Sequence, residues 1–179
     1  LDGAGGGVYS ATDLAGLARG LWPAGAEAPA VVLTGGEPSL QGDANMVSAL
    51  KGVGFAIWIE TNGSKRLPAG IDWVCLSPKP PKRPADQHYD EVKVIYPDPA
   101  IDPARFEHLA SRRYIQPRDD CDPGIRDANR AAAVRLVLEA PSWCLSGSTS
   151  TTCWRRPSTR RTVATMPSTL ASSMTRAMC

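Results

Sequence analysis

Residues 30–63 read AVVLTGGEPSLQGDANMVSALKGVGFAIWIETNG, and this segment alone contains a strand, a helix and a second strand. Ala30–Leu33 is a short β-branched run between a proline and a Gly-Gly turn, which is typical of a buried strand. Asp43 can cap a helix whose apolar positions recur every three or four residues until Gly54 ends it. The apolar run 55–59 follows directly. This order predicts two parallel strands joined by a helical crossover.

The same alternation continues on both sides of this segment. Further elements are predicted as a helix capped by Ser10 and ending near Gly20, strands at 73–76, 91–95 and 114–115, and helices at 106–111 and 127–138. Repeated strand and helix units predict an α/β fold, either a doubly wound sheet or a complete or partial (β/α) barrel. In both architectures ligands bind in the loops that follow the strands.

The composition favours a soluble globular protein without a polyanionic or membrane partner. The chain has 179 residues, 42% of them hydrophobic, and a formal net charge of only +2. That charge is too small to indicate binding to nucleic acid or to a membrane surface. No run approaches the roughly 18 apolar residues of a membrane span. With no visible signal peptide and few, irregularly spaced cysteines, a cytoplasmic location is predicted.

Residues 147–179 differ in composition from the rest of the chain. All 18 acidic residues lie at or before Glu139, whereas residues 141–179 contain five Arg, eight Ser and eight Thr. No sustained helical or strand period is visible there. We therefore predict a domain boundary after residue 146. The tail beyond it is interpreted as out-of-frame translation or as a disordered basic segment, and translation of the neighbouring frame would separate the two.

Polar clusters follow four of the predicted strands. The clusters are Thr34-Gly-Gly-Glu-Pro, Glu60-Thr-Asn-Gly, Ser77-Pro-Lys-Pro and Gln116-Pro-Arg-Asp-Asp. If the strands are parallel, these four loops lie at one edge of the sheet and line one pocket. Each cluster alone is also compatible with an ordinary turn or a rigid surface loop. Glu60 could equally be a solvated carboxylate at a strand end, and Lys79 could serve only a salt bridge.

Taken together, the segments TGGEP, ETNG, SPKP, YDEVKVIYP and YIQPRDD resemble the 7-carboxy-7-deazaguanine synthases, a family of radical S-adenosylmethionine enzymes. The resemblance covers roughly residues 3–146. It implies a partial (β/α) barrel of the radical S-adenosylmethionine type over residues 1–146, incomplete at the N-terminus. The implied enzyme is a lyase that converts 6-carboxy-5,6,7,8-tetrahydropterin to 7-carboxy-7-deazaguanine with loss of ammonia, in queuosine and related deazapurine biosynthesis.

The resemblance also implies cofactors, partners and roles for individual residues. A reduced 4Fe-4S cluster cleaves S-adenosylmethionine, Mg2+ assists, an external donor supplies the electron, and the family suggests a homodimer. Thr34 and Glu60 would face the pterin substrate. Arg118 stands where the family usually has a less polar residue. The implied S-adenosylmethionine contacts are Gly36 and Glu37 at the methionine ammonium, Ser77, Pro78 and Lys79 in the next loop, and Gln116, Pro117, Arg118 and Asp119 in a third.

The cysteines that would hold the cluster are expected in a loop preceding Leu1. None of the five cysteines present has a spacing that could replace them, so no metal site is predicted within the chain, and the fragment as given is expected to be inactive. His88 and His108 stand alone and are predicted to lie on the surface. Two alternatives remain open: another radical S-adenosylmethionine enzyme such as an activating enzyme, and a non-catalytic remnant that binds S-adenosylmethionine or a nucleotide.

Overall fold

Six parallel strands form one sheet in the computed structural model, which describes residues 7–26 and 28–146. The strands are β1 Ala30–Leu33, β2 Ala56–Thr61, β3 Trp73–Leu76, β4 Glu91–Tyr96, β5 Arg112–Pro117 and β6 Cys144–Leu145. The helices are α1 Ala11–Leu21, α2 Ala44–Gly52 and α3 Pro123–Glu139. The predictions for residues 147–179 lie outside the described residues.

The first two helices begin at the predicted caps. The Ser10 side chain accepts a hydrogen bond from the Asp13 backbone N–H at 3.1 Å, and the Asp43 carboxylate accepts one from the Met46 N–H at 2.9 Å. Each cap satisfies one of the N–H groups that a helix leaves unpaired at its start. The predicted start of α3 at residue 127 was wrong by four residues. Asp122 caps this helix, and Pro123 occupies its first position, where a missing N–H costs nothing.

The predicted helix at 106–111 was wrong. A 3-10 turn, Pro103–Phe106, is capped by Asp102, and β5 begins soon afterwards at Arg112. The Arg113 guanidinium donates a hydrogen bond to the Glu107 carbonyl oxygen at 2.8 Å. This carbonyl is therefore bonded to a side chain and not to a backbone N–H further along the chain. The backbone bonds here close three-residue turns, from the Glu107 N–H to the Ala104 carbonyl and from the Leu109 N–H to the Phe106 carbonyl, so the segment forms short turns and not an α-helix.

The strand order separates the two predicted architectures. The sheet order is β1-β2-β3-β4-β5-β6, and every neighbouring pair is parallel. A doubly wound sheet reverses its strand order at a switch point and carries helices on both faces. Here the order is strictly sequential, as in a (β/α) barrel that does not close. The partial barrel predicted from the sequence is confirmed.

All three described helices pack on one face of this sheet. Helices α1 and α2 bury Ala15, Val47 and Leu50 against Ile57, while α3 buries Ala133 against a cluster that includes Ile115. This face is the hydrophobic core. Burying apolar side chains contributes roughly 25 cal/mol per Å2 of area removed from water. The packed face therefore holds the strands in place and leaves the opposite face for other roles.

The opposite face of the sheet carries polar residues. Glu60, Cys75 and Glu91 are direct cross-strand neighbours on it, and Lys93 follows on the same strand as Glu91. Cys75 and Glu91 are 0% and 1% exposed although no described helix covers them. Their burial indicates that the sheet curls around this face, as barrel strands do. We refer to it below as the inner face.

Candidate functional site

The polar loops predicted to converge do meet at one edge of the sheet. Because all six strands are parallel, their carboxyl ends lie on the same side. The loops after β1, β2, β3 and β5 are the four that carry the predicted site residues. Backbone hydrogen bonds join the ends of neighbouring strands at this edge: the Ser77 N–H donates to the Thr61 carbonyl at 2.7 Å, and the Arg118 N–H donates to the Tyr96 carbonyl at the end of β4 at 2.7 Å.

The loop after β1 presents its backbone to solvent. Gly35 and Gly36 both have positive φ, at 83° and 50°, a conformation that glycine adopts without a Cβ penalty. A Cβ on Gly36 would meet nothing within 4 Å, so open space lies above this residue. Thr34 is exposed beside it. The arrangement leaves room for a ligand to contact the main chain here.

The Glu37 carboxylate joins this loop to the end of β2. One oxygen accepts from the Thr61 hydroxyl at 2.5 Å and from the Ser39 N–H at 3.0 Å, and the other accepts from the Asn62 N–H at 2.7 Å. Burial opposes ionisation, but the hydrogen bonds from Ser39, Thr61 and Asn62 outweigh it and hold the pKa of Glu37 below its usual range. The ionised side chain therefore ties the loops after β1 and β2 together.

The loop after β2 turns at a glycine that has no room for a side chain. Gly63 has a φ of 74°, and a Cβ there would lie 2.8 Å from a Leu76 methyl and 2.9 Å from the Tyr89 hydroxyl. The Gly63 carbonyl accepts from the Ala85 N–H at 2.7 Å, which connects this loop to the Pro-rich loop after β3. Gly63 therefore controls how closely the two loops approach.

Replacing Gly63 with alanine is expected to lower the free energy of unfolding by about 2 kcal/mol, since strain at positive φ and crowding against side chains both contribute. The matched control is Gly16→Ala in α1, where a Cβ meets nothing within 4 Å. This control is expected to gain roughly 0.5–1 kcal/mol from better helix propensity. Chemical denaturation of both variants measures the difference. Equal stabilities would contradict the packing described for Gly63.

The loop after β3 combines two buried residues with an exposed lysine. Ser77 and Pro78 are buried, whereas Lys79 is exposed. Although the residue as a whole reaches solvent, desolvation by surrounding protein lowers the pKa of Lys79, with a smaller opposing contribution from the charge of Glu60. Among the described residues, no carboxylate forms an ion pair with the Lys79 ammonium. The Lys79 ammonium is therefore a partly desolvated cation at the edge of the sheet.

Glu60 lies on the inner face and is not a freely solvated carboxylate. Its Oε1 is 2.6 Å from the Lys93 Nζ, and the two side chains are 26% and 14% exposed. Lys93 was not among the site residues predicted from the sequence. The available signal was its position in EVKVIY, where one lysine interrupts a strand that is otherwise largely buried. A charged residue at such a position usually has a partner.

The loop after β5 is anchored through its backbone. The Asn129 side-chain amide donates to the Arg118 carbonyl at 3.1 Å, so α3 holds the loop in place. Gln116 and Pro117 are partly buried, whereas Arg118 and Asp119 are exposed. The Asp119 carboxylate lies 4.0 Å from the Arg126 guanidinium, a contact typical of weak surface pairs. The structure brings these four residues to the same edge as the other loops.

The described residues do not fit a 4Fe-4S cluster. No group of three His, Cys, Asp or Glu side chains in this part of the chain could hold a metal ion. Burial, followed by the negative charge of Glu91, raises the pKa of the Cys75 thiol far above its usual range. Cluster iron needs thiolates, which this environment disfavours. His88 and His108 are exposed, as predicted. No reaction step through a cluster is derived from these residues.

Curated proteins similar to this chain share one name. A 7-carboxy-7-deazaguanine synthase from Caulobacter vibrioides is 42% identical over 147 residues, which cover 81% of this chain and 69% of the relative. The chain belongs to the 7-carboxy-7-deazaguanine synthase family. A second member, from Nitratidesulfovibrio vulgaris, is 43% identical over 151 residues, again covering 69% of that relative. The family match accounts for the loop motifs, and S-adenosylmethionine and a 4Fe-4S cluster are its general cofactors.

A solved structure of the same family has the same fold. The crystal structure of QueE from Escherichia coli matches with a TM-score of 0.54 and 24% identity, over 76% of this chain and 63% of that one. No protein-family model matches the chain. The likeness in structure therefore supports the partial barrel, and the family assignment depends on the curated synthases.

Proposed function

We propose that residues 30–146 form the S-adenosylmethionine- and pterin-binding edge of a 7-carboxy-7-deazaguanine synthase. The observation that carries this proposal is the meeting of four polar loops at one sheet edge, two of them joined by the Glu37 carboxylate. Enzymes of this family are radical S-adenosylmethionine lyases. The substrate proposed for this chain is 6-carboxy-5,6,7,8-tetrahydropterin, and the proposed product is 7-carboxy-7-deazaguanine.

In this proposal the two ends of the methionine group of S-adenosylmethionine meet different loops. Its ammonium needs acceptors, which the open backbone at Gly36 and the remaining lone pair of Glu37 can supply. Its carboxylate needs a cation, which Lys79 supplies next to the buried Ser77 and Pro78. Gln116, Pro117, Arg118 and Asp119 would contact the cofactor from the loop after β5. When bound, S-adenosylmethionine supplies the radical chemistry of the family.

The pterin is proposed to lie against Thr34 and Glu60. Thr34 is exposed beside the two glycines after β1, and Glu60 reaches the same edge from the inner face. A carboxylate accepts hydrogen bonds from N–H donors, which a pterin ring carries in number. The Glu60 Oε1 pairs with Lys93, which fixes the position of the carboxylate. The N–H groups of the pterin would donate to this carboxylate.

Mg2+, an external electron donor and a homodimer remain predictions drawn from the family resemblance. The described residues include no group that could hold a metal ion by itself. No helix in the described part of the chain is long and apolar enough to cross a membrane.

A chimera tests the proposed reaction. The matching segment of the Caulobacter vibrioides relative is replaced by that of this chain, and the product is assayed from the pterin substrate. We expect formation of 7-carboxy-7-deazaguanine, because the family match spans this segment at 42% identity. The unmodified relative serves as the positive control.

Two outcomes would contradict the proposal. A folded, cluster-loaded chimera that cleaves S-adenosylmethionine without forming product would favour another radical S-adenosylmethionine activity. A chimera that binds S-adenosylmethionine but cleaves none would favour a binding remnant. The curated relatives described above carry one name and so do not favour either alternative.

A further inference from the structure

The pair between Glu60 and Lys93 spans a strand that lies between them. Glu60 is on β2 and Lys93 is on β4, and Cys75 on β3 is the direct neighbour of Glu60 on the inner face. Neighbouring strands are about 4.8 Å apart and residues advance about 3.3 Å along each, which separates the two Cα atoms by roughly 12 Å. Two extended side chains can bridge this distance because the side chain between them is a small cysteine.

Lys79 and Lys93 compete for the carboxylate of Glu60. Glu60 lies level with Glu91, so Lys93 is two residues nearer to the carboxyl edge of the sheet, and the two lysines repel each other electrostatically. Glu60 attracts both ammonium groups, yet its ion pair, at 2.6 Å, is with Lys93. Lys79 forms no ion pair among the described residues. The more buried lysine therefore holds the carboxylate, and the exposed lysine keeps its charge available.

Two other carboxylates lie near this pair. Asp98, which follows β4, attracts Lys79 more weakly than Glu60 does, and Glu91 faces Cys75 from the same strand as Lys93. The Cys75 thiol stays neutral because of its burial. The choice between Lys79 and Lys93 as the partner of Glu60 therefore decides how much positive charge the edge presents.

We infer that Lys93 is a positioning residue of the binding site. By pairing with Glu60 it keeps this carboxylate away from Lys79, and the Lys79 ammonium remains available to a ligand that carries a carboxylate. Without Lys93, Glu60 would pair with Lys79 and neutralise the cation that the ligand needs. This inference rests on the proposed S-adenosylmethionine site, and it adds a residue that touches neither cofactor nor substrate.

The test uses the full chain and two readouts. The first is the pKa of Lys79, measured from the pH dependence of its side-chain NMR signal. In Lys93→Met this pKa is expected to rise by roughly half a unit or more, since Glu60 becomes its partner and the repulsion by Lys93 is lost. The second readout is the dissociation constant for S-adenosylmethionine by calorimetry. We expect binding to weaken about tenfold in Lys93→Met and to stay within about threefold of the parent in Lys93→Arg.

The double variant Lys93→Met, Glu60→Gln separates positioning from stability. It removes the Glu60 carboxylate together with its partner, so it remains testable where the single variant fails to fold. We expect it to recover most of the affinity for S-adenosylmethionine, because a neutral amide at position 60 no longer competes for Lys79. A merely structural role would lower the yield of folded protein and leave the affinity of the folded fraction for S-adenosylmethionine unchanged.

An unchanged pKa of Lys79 in the folded Lys93→Met variant would overturn the inference. Loss of affinity in the double variant by tenfold or more would overturn it too. If neither the parent chain nor any variant binds S-adenosylmethionine, the proposed cofactor site fails. The pKa of Lys79 in Lys93→Met, compared with its pKa in the double variant that lacks the Glu60 charge, then still decides whether Lys93 controls the partner of Glu60, so the two failures are distinguishable.

Discussion

Replacing Lys79 with methionine is expected to weaken S-adenosylmethionine binding by about 10- to 100-fold, without loss of stability. A hydrogen bond to a charged group contributes about 1.5–3 kcal/mol, and Lys79 is the proposed partner of the ligand carboxylate. Methionine keeps most of the apolar length of the side chain. Because desolvation disfavours the lysine charge in the free protein, its removal is expected to leave the free energy of unfolding unchanged or slightly higher.

The control for this variant is Lys82→Met, three residues further along the same Pro-rich loop. Lys82 is exposed and has no proposed contact with the ligand. We expect the S-adenosylmethionine affinity of Lys82→Met to stay within about threefold of the parent. Equal losses in both variants would show that only the general positive charge of the loop matters, which contradicts a specific role for Lys79.

The same interpretation predicts how binding depends on pH. The lowered pKa of Lys79 means that its cation is lost at a lower pH than an ordinary lysine cation. Binding of S-adenosylmethionine is therefore expected to weaken as pH rises toward this pKa, and the Lys79→Met variant should lose this dependence. The effect of pH on stability has the opposite sign. Between the pKa of Lys79 in the folded protein and its higher pKa in the unfolded chain, the unfolded chain binds more protons than the folded protein. Raising the pH through this window therefore stabilises the fold.

The second large effect is expected for Glu37→Gln, which should lower the free energy of unfolding by about 2 kcal/mol. An amide offers one acceptor oxygen where the carboxylate offers two. Its NH2 group would then face the Asn62 N–H or the Thr61 hydroxyl, which donate to the carboxylate at 2.7 Å and 2.5 Å. Since the two loops are held together by these bonds, S-adenosylmethionine affinity is expected to fall as well.

Acid titration distinguishes the hydrogen-bonding role of Glu37 from a general effect of losing one negative charge. The folded pKa of Glu37 is depressed, so its stabilisation is present above the unfolded value, about 4.3, and is lost as pH falls through the folded pKa. The stability difference between the parent and Glu37→Gln should therefore shrink in acid. The charge-matched control is Glu139→Gln at the exposed end of α3, for which we expect no difference beyond about 0.5 kcal/mol. A constant difference down to a pH of about 2 would contradict the proposed hydrogen bonds.

The position of the loops was predicted from the sequence, whereas the pair between Glu60 and Lys93 was not. The loops after β1, β2, β3 and β5 were predicted from polar clusters that follow apolar runs, and the parallel sheet places them at one edge as expected. Lys93 was not predicted, because its one local signal, a lysine within the strand EVKVIY, does not identify its partner. Its partner Glu60 is 33 positions earlier and two strands away. Only the register of β2, β3 and β4 shows that the two meet.

Local patterns were sufficient for most of the secondary structure, because caps and periodicity act within about four residues. Ser10 and Asp43 cap their helices as predicted, and the loop motifs indicated the family that the comparisons show. The helix predicted at 106–111 is replaced by short turns, and the Glu107 carbonyl there accepts from Arg113, which lies outside the segment.

Three features were decided only by the tertiary structure: the sequential strand order, the tie from Glu37 to Thr61 and Asn62, and the choice of Lys93 as the partner of Glu60. Each of them joins residues at least 15 positions apart. Such pairs form because packing of the helices on one face sets the strand register, and that register then brings distant side chains on the inner face and at the loop edge within hydrogen-bonding distance.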